Sequence, residues 1–198
     1  LAELVIGKAN PVEALVEARP GLQLLAGGRN IAALKKEIAR RDMRSESVLD
    51  EALQVYDDKY DYVIVDTSPG WDQITINVLF YVEEILAPVS VEVLTLRSLV
   101  DFRENLQNIR KYRPNVALTY VLPTFFDQRV KKSTEVLEQL RASFEPILCS
   151  PIRYNVKLSE APGFGQTIFE FDPRSPGAQD YTLLTERILA NGSAQKQS

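Results

Sequence analysis

Residues 60–70 read YDYVIVDTSPG. Tyr62, Val63, Ile64 and Val65 form an unbroken apolar run that ends at Asp66, and a Ser-Pro-Gly turn follows. A continuous β-branched run of this kind predicts a strand buried on both faces, in the middle of a parallel α/β sheet. A carboxylate at the C-terminal end of such a strand stands where open α/β sheets take their ligands. In nucleotide hydrolases an Asp at this place serves the Mg²⁺ on the phosphates. The usual partner of that Asp is a Gly-rich phosphate loop with a Lys, and no such loop occurs in the 198 residues.

Working outward, helical and strand patterns alternate. Helices are predicted over 11–19 (Asn10 as N-cap), 31–40, 47–56, 74–82, 93–112, 130–144 and from Ser175-Pro176 to 190. A helical turn or two is predicted over 153–160. Strands are predicted over 22–25, 62–65, 84–89, 116–122 and 146–149. Asp72 is placed at the start of the 74–82 helix. Asn191-Gly192 reads as a C-cap, and 191–198 as a polar disordered tail. The repeated β-α-β order predicts an α/β fold with a mainly parallel sheet flanked by helices on both faces. With neither repeat nor linker in view, residues 1–190 read as a single domain.

Composition narrows the chemistry. Apolar residues make up 45% and charged residues 25%, ordinary for a globular chain, and no apolar run reaches membrane-spanning length. The absence of His excludes Ser-His-Asp catalysis and His-ligated zinc within these residues. A lone Cys149 excludes an internal disulfide and fits a reducing cytoplasm. Net charge is −4, so nucleic-acid binding would need a local basic patch. The opening LAELVIGKANP has no signal-peptide pattern. Leu at position 1, with Met43 the single Met, leads to the expectation that the chain is part of a longer protein.

Two further constellations follow Asp66. Arg129, Lys131 and Lys132 cluster at a helix start, where the dipole disfavours cations, and this points to an anionic partner. The stretch 150–165, SPIRYNVKLSEAPGFG, carries Arg153 and Lys157 at helical spacing between rigid Pro and Gly residues. The bland alternatives are a capping Asp, a solvated helix face and a surface loop.

Taken together, YDYVIVDTSPGWDQITINVL, SPIRYNVKLSEAPGFGQTI and FDPRSPGAQDYTLL resemble the ParA/Soj branch of partition ATPases, in the deviant P-loop class that includes MinD. The resemblance covers roughly residues 45–190, and NVKLSEAP followed by DPRSPGA is its most specific part. It implies ATP and Mg²⁺ binding, an ATP-dependent homodimer, non-specific DNA binding and a ParB-like stimulating partner, in a cytoplasmic, nucleoid-associated protein. Asp66 matches the position that contacts Mg²⁺ through water. The loop from Thr67 to Gly70 matches the second switch, though Ser68 and Gly70 depart from the commoner D-x-P-P. Thr124 and the run Pro151, Ile152, Arg153, Tyr154 match positions that frame the nucleotide. Arg129 and Lys157, with Lys131, Lys132 and Arg153, form the implied DNA-facing set. Lys157 stands where Arg is more usual, which keeps the charge and loses the bidentate fork. The family's K-G-G-x-G-K-T loop and first strand are absent from the 198 residues, so ATPase activity is expected of a parent protein more than of this stretch. Three alternatives stay open: a non-catalytic interaction module, a MinD-like membrane-cycling ATPase, and an ATPase that positions protein cargo.

Overall fold

The computed structural model describes residues 1–28 and 30–195. Its contacts fall into two compact units, one of residues 1–83 with 109–116, the other of 84–108 and the chain from Ala117 onwards. Each is described on its own.

The first unit holds α1 (Ala2–Val5), β1 (Leu15–Arg19), β2 (Leu22–Leu25), α2 (Ile31–Arg40), α3 (Val48–Leu53) and α4 (Gln73–Tyr81). Its core is Leu34 and Ile38 of α2, Val48, Leu49 and Leu53 of α3, Tyr56, Val78 of α4, and Ala2. Buried Asn77 ties these helices together. Its amide donates to the carbonyls of Ser45 (2.9 Å) and Gln73 (3.0 Å), and its carbonyl accepts the Leu49 N–H (3.2 Å). All its polar capacity is thereby matched inside the core, as a buried amide requires.

Two expectations fail in this unit. Of the helix predicted over 11–19, residues 11–14 form a turn and Leu15–Arg19 is instead the first strand of a hairpin. Arg19 pairs with Leu22 across Pro20-Gly21, and Gly21 has φ +76°. Pro followed by a glycine at positive φ is a type II turn signal, and cross-strand pairing overrides the helical spacing. The strand predicted over 62–65 has no regular secondary structure and enters no ladder among the described residues. Val65 packs partly on the core, yet Ile64 is 90% exposed and Tyr62 50%. A strand buried on both faces needs a ladder partner and a covering layer, and within this unit neither reaches Ile64.

The second unit begins with β3 (Glu84–Ser90), α5 (Val93–Arg110) and β4 (Ala117–Thr124), with β3 and β4 parallel from Glu84↔Ala117 to Ser90↔Thr124. This is the β-α-β order read from the sequence. It continues with α6 (Lys131–Phe144), α7 (Val156–Glu160), α8 (Ile168–Phe171) and α9 (Pro176–Gln195). Side chains alternate along β4. Val121 packs with Leu99 of α5 and Val136, Leu140 and Phe144 of α6. Tyr120 and Leu122 pack the other way, with Cys149, Ile152 and Tyr181, Leu184 and Ile188 of α9. Helices therefore cover both faces of the parallel strands.

The predicted strand over 146–149 is a 3-10 turn (Glu145–Ile147), and Leu148 makes a single parallel bridge to Val121. Pro146 lacks the N–H a strand would use there. The last helix runs through Asn191-Gly192 to Gln195, so no C-cap forms at that pair and 191–195 is helical. The remainder of the predicted disordered tail, 196–198, lies outside the described residues. None of the described helices is long and apolar enough to cross a membrane.

Candidate functional site

The C-terminal ends of β3 and β4 build the site. Beyond Thr124 the chain turns sharply at Phe125, which has φ +56° and is exposed. It then runs beside the 149–154 segment. Cys149 donates to the Val121 carbonyl (2.8 Å), Ile152 to Pro123 (2.8 Å), Phe126 back to Ile152 (3.1 Å) and Tyr154 to Phe126 (2.8 Å). This ladder brings Thr124 and the run Pro151, Ile152, Arg153, Tyr154 to one edge. A cleft of about 180 Å³ at this edge is lined by Phe126, Asp127, Gln128, Arg129, Arg153 and Tyr154, and not by Thr124, Pro151 or Ile152. A second groove of about 360 Å³ runs between the starts of α5 and α6, lined by Val91, Glu92, Leu94, Val130, Lys132 and Ser133. Ligand pockets commonly measure ~300–1,000 Å³, so the smaller cleft suits one ring of a ligand, not all of it.

The basic residues divide by what they touch. Arg153 is anchored. Its Nη2 lies 2.7 Å from Oδ1 of buried Asp180, its Nε donates to both Asp180 oxygens, and Nη2 also donates to the Pro176 carbonyl (3.2 Å). Its backbone N–H donates to the same carboxylate (2.9 Å). Arg153 thus locks α9 onto the end of the 149–154 segment. Close packing there also needs Gly177, because a Cβ at that position would sit 2.8 Å from Leu158 Cγ. Arg129 is 82% exposed and forks onto Asp127, with Nη2 to Oδ2 at 2.7 Å and Nε to Oδ1 at 3.0 Å. That guanidinium, with the Arg129 backbone N–H, holds the Asp127 carboxyl down at about 2. Lys157 reaches Glu160 (3.1 Å) and lies over the Phe171 ring (5.5 Å). Lys131 faces Glu135 (3.7 Å), and Lys132 lines the larger groove.

In the first unit, Asp66 ends the apolar run, and its exposed carboxylate has no hydrogen-bond partner among the described residues. Thr67 beside it is exposed too. Among those residues no group of three or more His, Cys, Asp or Glu could enclose a metal. A lone unpaired carboxylate fits Mg²⁺, which keeps several waters and takes further ligands from phosphates. Asp72 caps α4 as the sequence indicated, its Oδ1 accepting the Ile74 and Thr75 N–H groups (3.0 Å each). Lys35 lies 2.9 Å from its Oδ2, and this contact, followed by the Thr75 N–H, lowers its carboxyl to about 2.

Sequence reasoning missed Asp180, although a carboxylate beside Ala178 and Tyr181 on the buried face of a helix was a usable signal. It also missed Asn155, which caps α7 through its carbonyl while its Nδ2 is buried with no acceptor among the described residues.

Comparison with known proteins fits this layout. A family profile described as an AAA domain matches residues 1–119. The chromosome-partitioning ATPase Soj of Thermus thermophilus is 34% identical over 185 residues, covering 92% of this chain and 72% of that protein. This chain belongs to the ParA/Soj family of partition ATPases. The chromosome partitioning protein ParA of Caulobacter vibrioides is 27% identical, over 96% of this chain and 73% of its own length. Among solved structures, cobyrinic acid a,c-diamide synthase of Mycobacterium smegmatis, with bound ADP and magnesium, superposes with a TM-score of 0.77 at 26% identity. That match covers 95% of this chain and 70% of the synthase. The ParA/Soj fold expected from the motifs, parallel strands between helical layers in the P-loop ATPase manner, is the fold found.

Proposed function

We propose that the protein is a DNA-partition ATPase that binds ATP with Mg²⁺, pairs with a second copy on ATP and holds DNA without sequence preference. The observation that carries this reading is the ladder that brings the chain just after Thr124 alongside the run Pro151, Ile152, Arg153, Tyr154 at the C-terminal ends of parallel strands, with a cleft lined by Arg153, Tyr154 and residues 126–129, where such sheets take ligands. Membership of the ParA/Soj family supports it.

In this reading Thr124, Pro151, Ile152 and Tyr154 frame the base. Arg153, committed to Asp180, positions that frame. Mg²⁺ neutralises charge on the phosphates when bound. Asp66, with Thr67 beside it, orients a water of the metal. Arg129, Lys131, Lys132 and Lys157 take DNA phosphates, so binding is salt-sensitive. The protein works in the cytoplasm on the nucleoid, with a ParB-like partner stimulating hydrolysis.

Two variants of the full-length protein test this. Asp66→Asn is expected to keep nucleotide binding and lose Mg²⁺-dependent hydrolysis by about 100-fold, the scale of one transition-state contact. Hydrolysis at the normal rate would reject the role. Arg129→Glu with Lys157→Glu is expected to abolish DNA retention, and unchanged retention would reject the patch. A second reading, a non-catalytic interaction module, is supported by the lack of a G-K-[ST] pattern in these residues. Calorimetric ATP titration of the full-length protein separates the two, since Mg²⁺-dependent binding supports the ATPase and its absence the interaction module.

A further inference from the structure

Three of the basic residues proposed for DNA already face carboxylates of their own. Asp127 holds Arg129, Glu135 faces Lys131 and Glu160 holds Lys157, each carboxylate two to four residues from its cation. Among the described residues, Lys132 is the cation of this set outside such a pair. The Arg129 contact is the tightest. Its fork meets both Asp127 oxygens, and Oδ1 also accepts the Arg129 backbone N–H at 3.0 Å. A guanidinium fork grips a carboxylate and a phosphate with the same geometry. Arg129 is therefore bound to an internal stand-in for phosphate, and Lys131 and Lys157 face carboxylates as single point charges.

We propose that Asp127, Glu135 and Glu160 act as built-in phosphate surrogates that set a charge-density threshold, so that the face takes duplex DNA and rejects isolated phosphates. The inference rests on the DNA reading above and adds what selects the polyanion. A single phosphate exchanges for one tethered carboxylate, which the chain holds at high effective concentration, and gains little. Duplex DNA carries one charge per roughly 1.7 Å of axis. It displaces several carboxylates together and gains the release of its own counterions.

The sign of the effect separates this role from a positioning role. If Asp127 merely aimed Arg129, neutralising it would weaken DNA binding; a surrogate, once neutralised, strengthens it. Asp127→Asn is the suitable change because the amide oxygen still accepts the Arg129 N–H and preserves the local turn.

The experiment measures anisotropy of a random-sequence duplex with the full-length protein, ATP and Mg²⁺, across a salt series. It compares Asp127→Asn, Glu135→Gln, Glu160→Gln and the triple variant, with thermal melts confirming folding. Each neutralisation is expected to tighten binding about two- to fivefold, the range of one exposed ion pair. Asp127→Asn should be the largest, and the triple variant should also gain affinity for inorganic triphosphate. Each further phosphate engaged steepens the salt slope by about 0.9. If the wild type binds DNA and the carboxylate variants match it or bind more weakly, the proposal falls and the DNA reading stands. If neither the wild type nor the triple variant binds DNA, both fall.

Discussion

Residues 62–65 and the strand β4 carry nearly the same message and meet different fates. Both are largely apolar runs that include β-branched residues, and both end in a polar residue where a ligand is expected. In β4, Val121 is fully buried towards α5 and α6, while Tyr120 and Leu122 are buried towards α9. In the other run, Ile64 is 90% exposed and no ladder forms among the described residues. The difference teaches that such a run states a demand for neighbours. Whether the demand is met depends on β3, on the 149–154 segment and on helices far away in sequence.

Matched substitutions can break the comparison. Leu122→Ala should cost about 2–5 kcal/mol in denaturant melts, as for a large core side chain. Next, Asp180→Ala unpairs Arg153 at the end of the segment beside β4. Arg153 is nearly half exposed, so the loss should lie near the lower end of the ~3–5 kcal/mol typical of a broken buried pair. Urea midpoints would read it, and an unchanged midpoint would show that the anchor is dispensable.

On the side of the unpaired run, Asp72→Ala removes the α4 cap and should cost about 1 kcal/mol. The Asp72 carboxyl is held at about 2, below the ordinary 3.8, so its contribution is present above pH 3.8 and lost as pH falls through 2. The gap between wild type and Asp72→Asn should close across that window in acid titrations followed by circular dichroism. The smallest effect belongs to Ile64→Ala, within about 0.5 kcal/mol for an exposed site. A loss there equal to that of Leu122→Ala would mean that Ile64 is covered in the protein being melted, and the contrast between the two runs would vanish.

What was legible follows the same division. Helices with their own signals were readable: Asp72 at the head of α4, the Ile31–Arg40 face, and the apolar face of α6. So was β4, because its neighbours exist as the alternating pattern implied. The Leu15–Arg19 strand was not, since its spacing also suits a helix and its pairing depends on the Pro20-Gly21 turn. At the candidate site, the order of motifs singled out Thr124 and the run from Pro151 to Tyr154, which the ladder sets side by side. It left unread that Arg153 is tied to Asp180, a contact spanning 27 residues. Nor did it show that Arg129, Lys131 and Lys157 face their own carboxylates, because a charge run does not reveal its rotamers.

One small feature of the second unit has practical reach. Cys149 is the single cysteine of these 198 residues, it is 4% exposed between β4 and α9, and burial pushes its thiol up. In the closed state it is therefore a poor nucleophile behind a packed wall. An alkylating reagent reaches it when α9 lifts from the strands, so the modification rate counts those openings. The wild-type chain carries its own stopwatch for the unit that holds the cleft. Ligands that clamp that edge should slow it, with no label added.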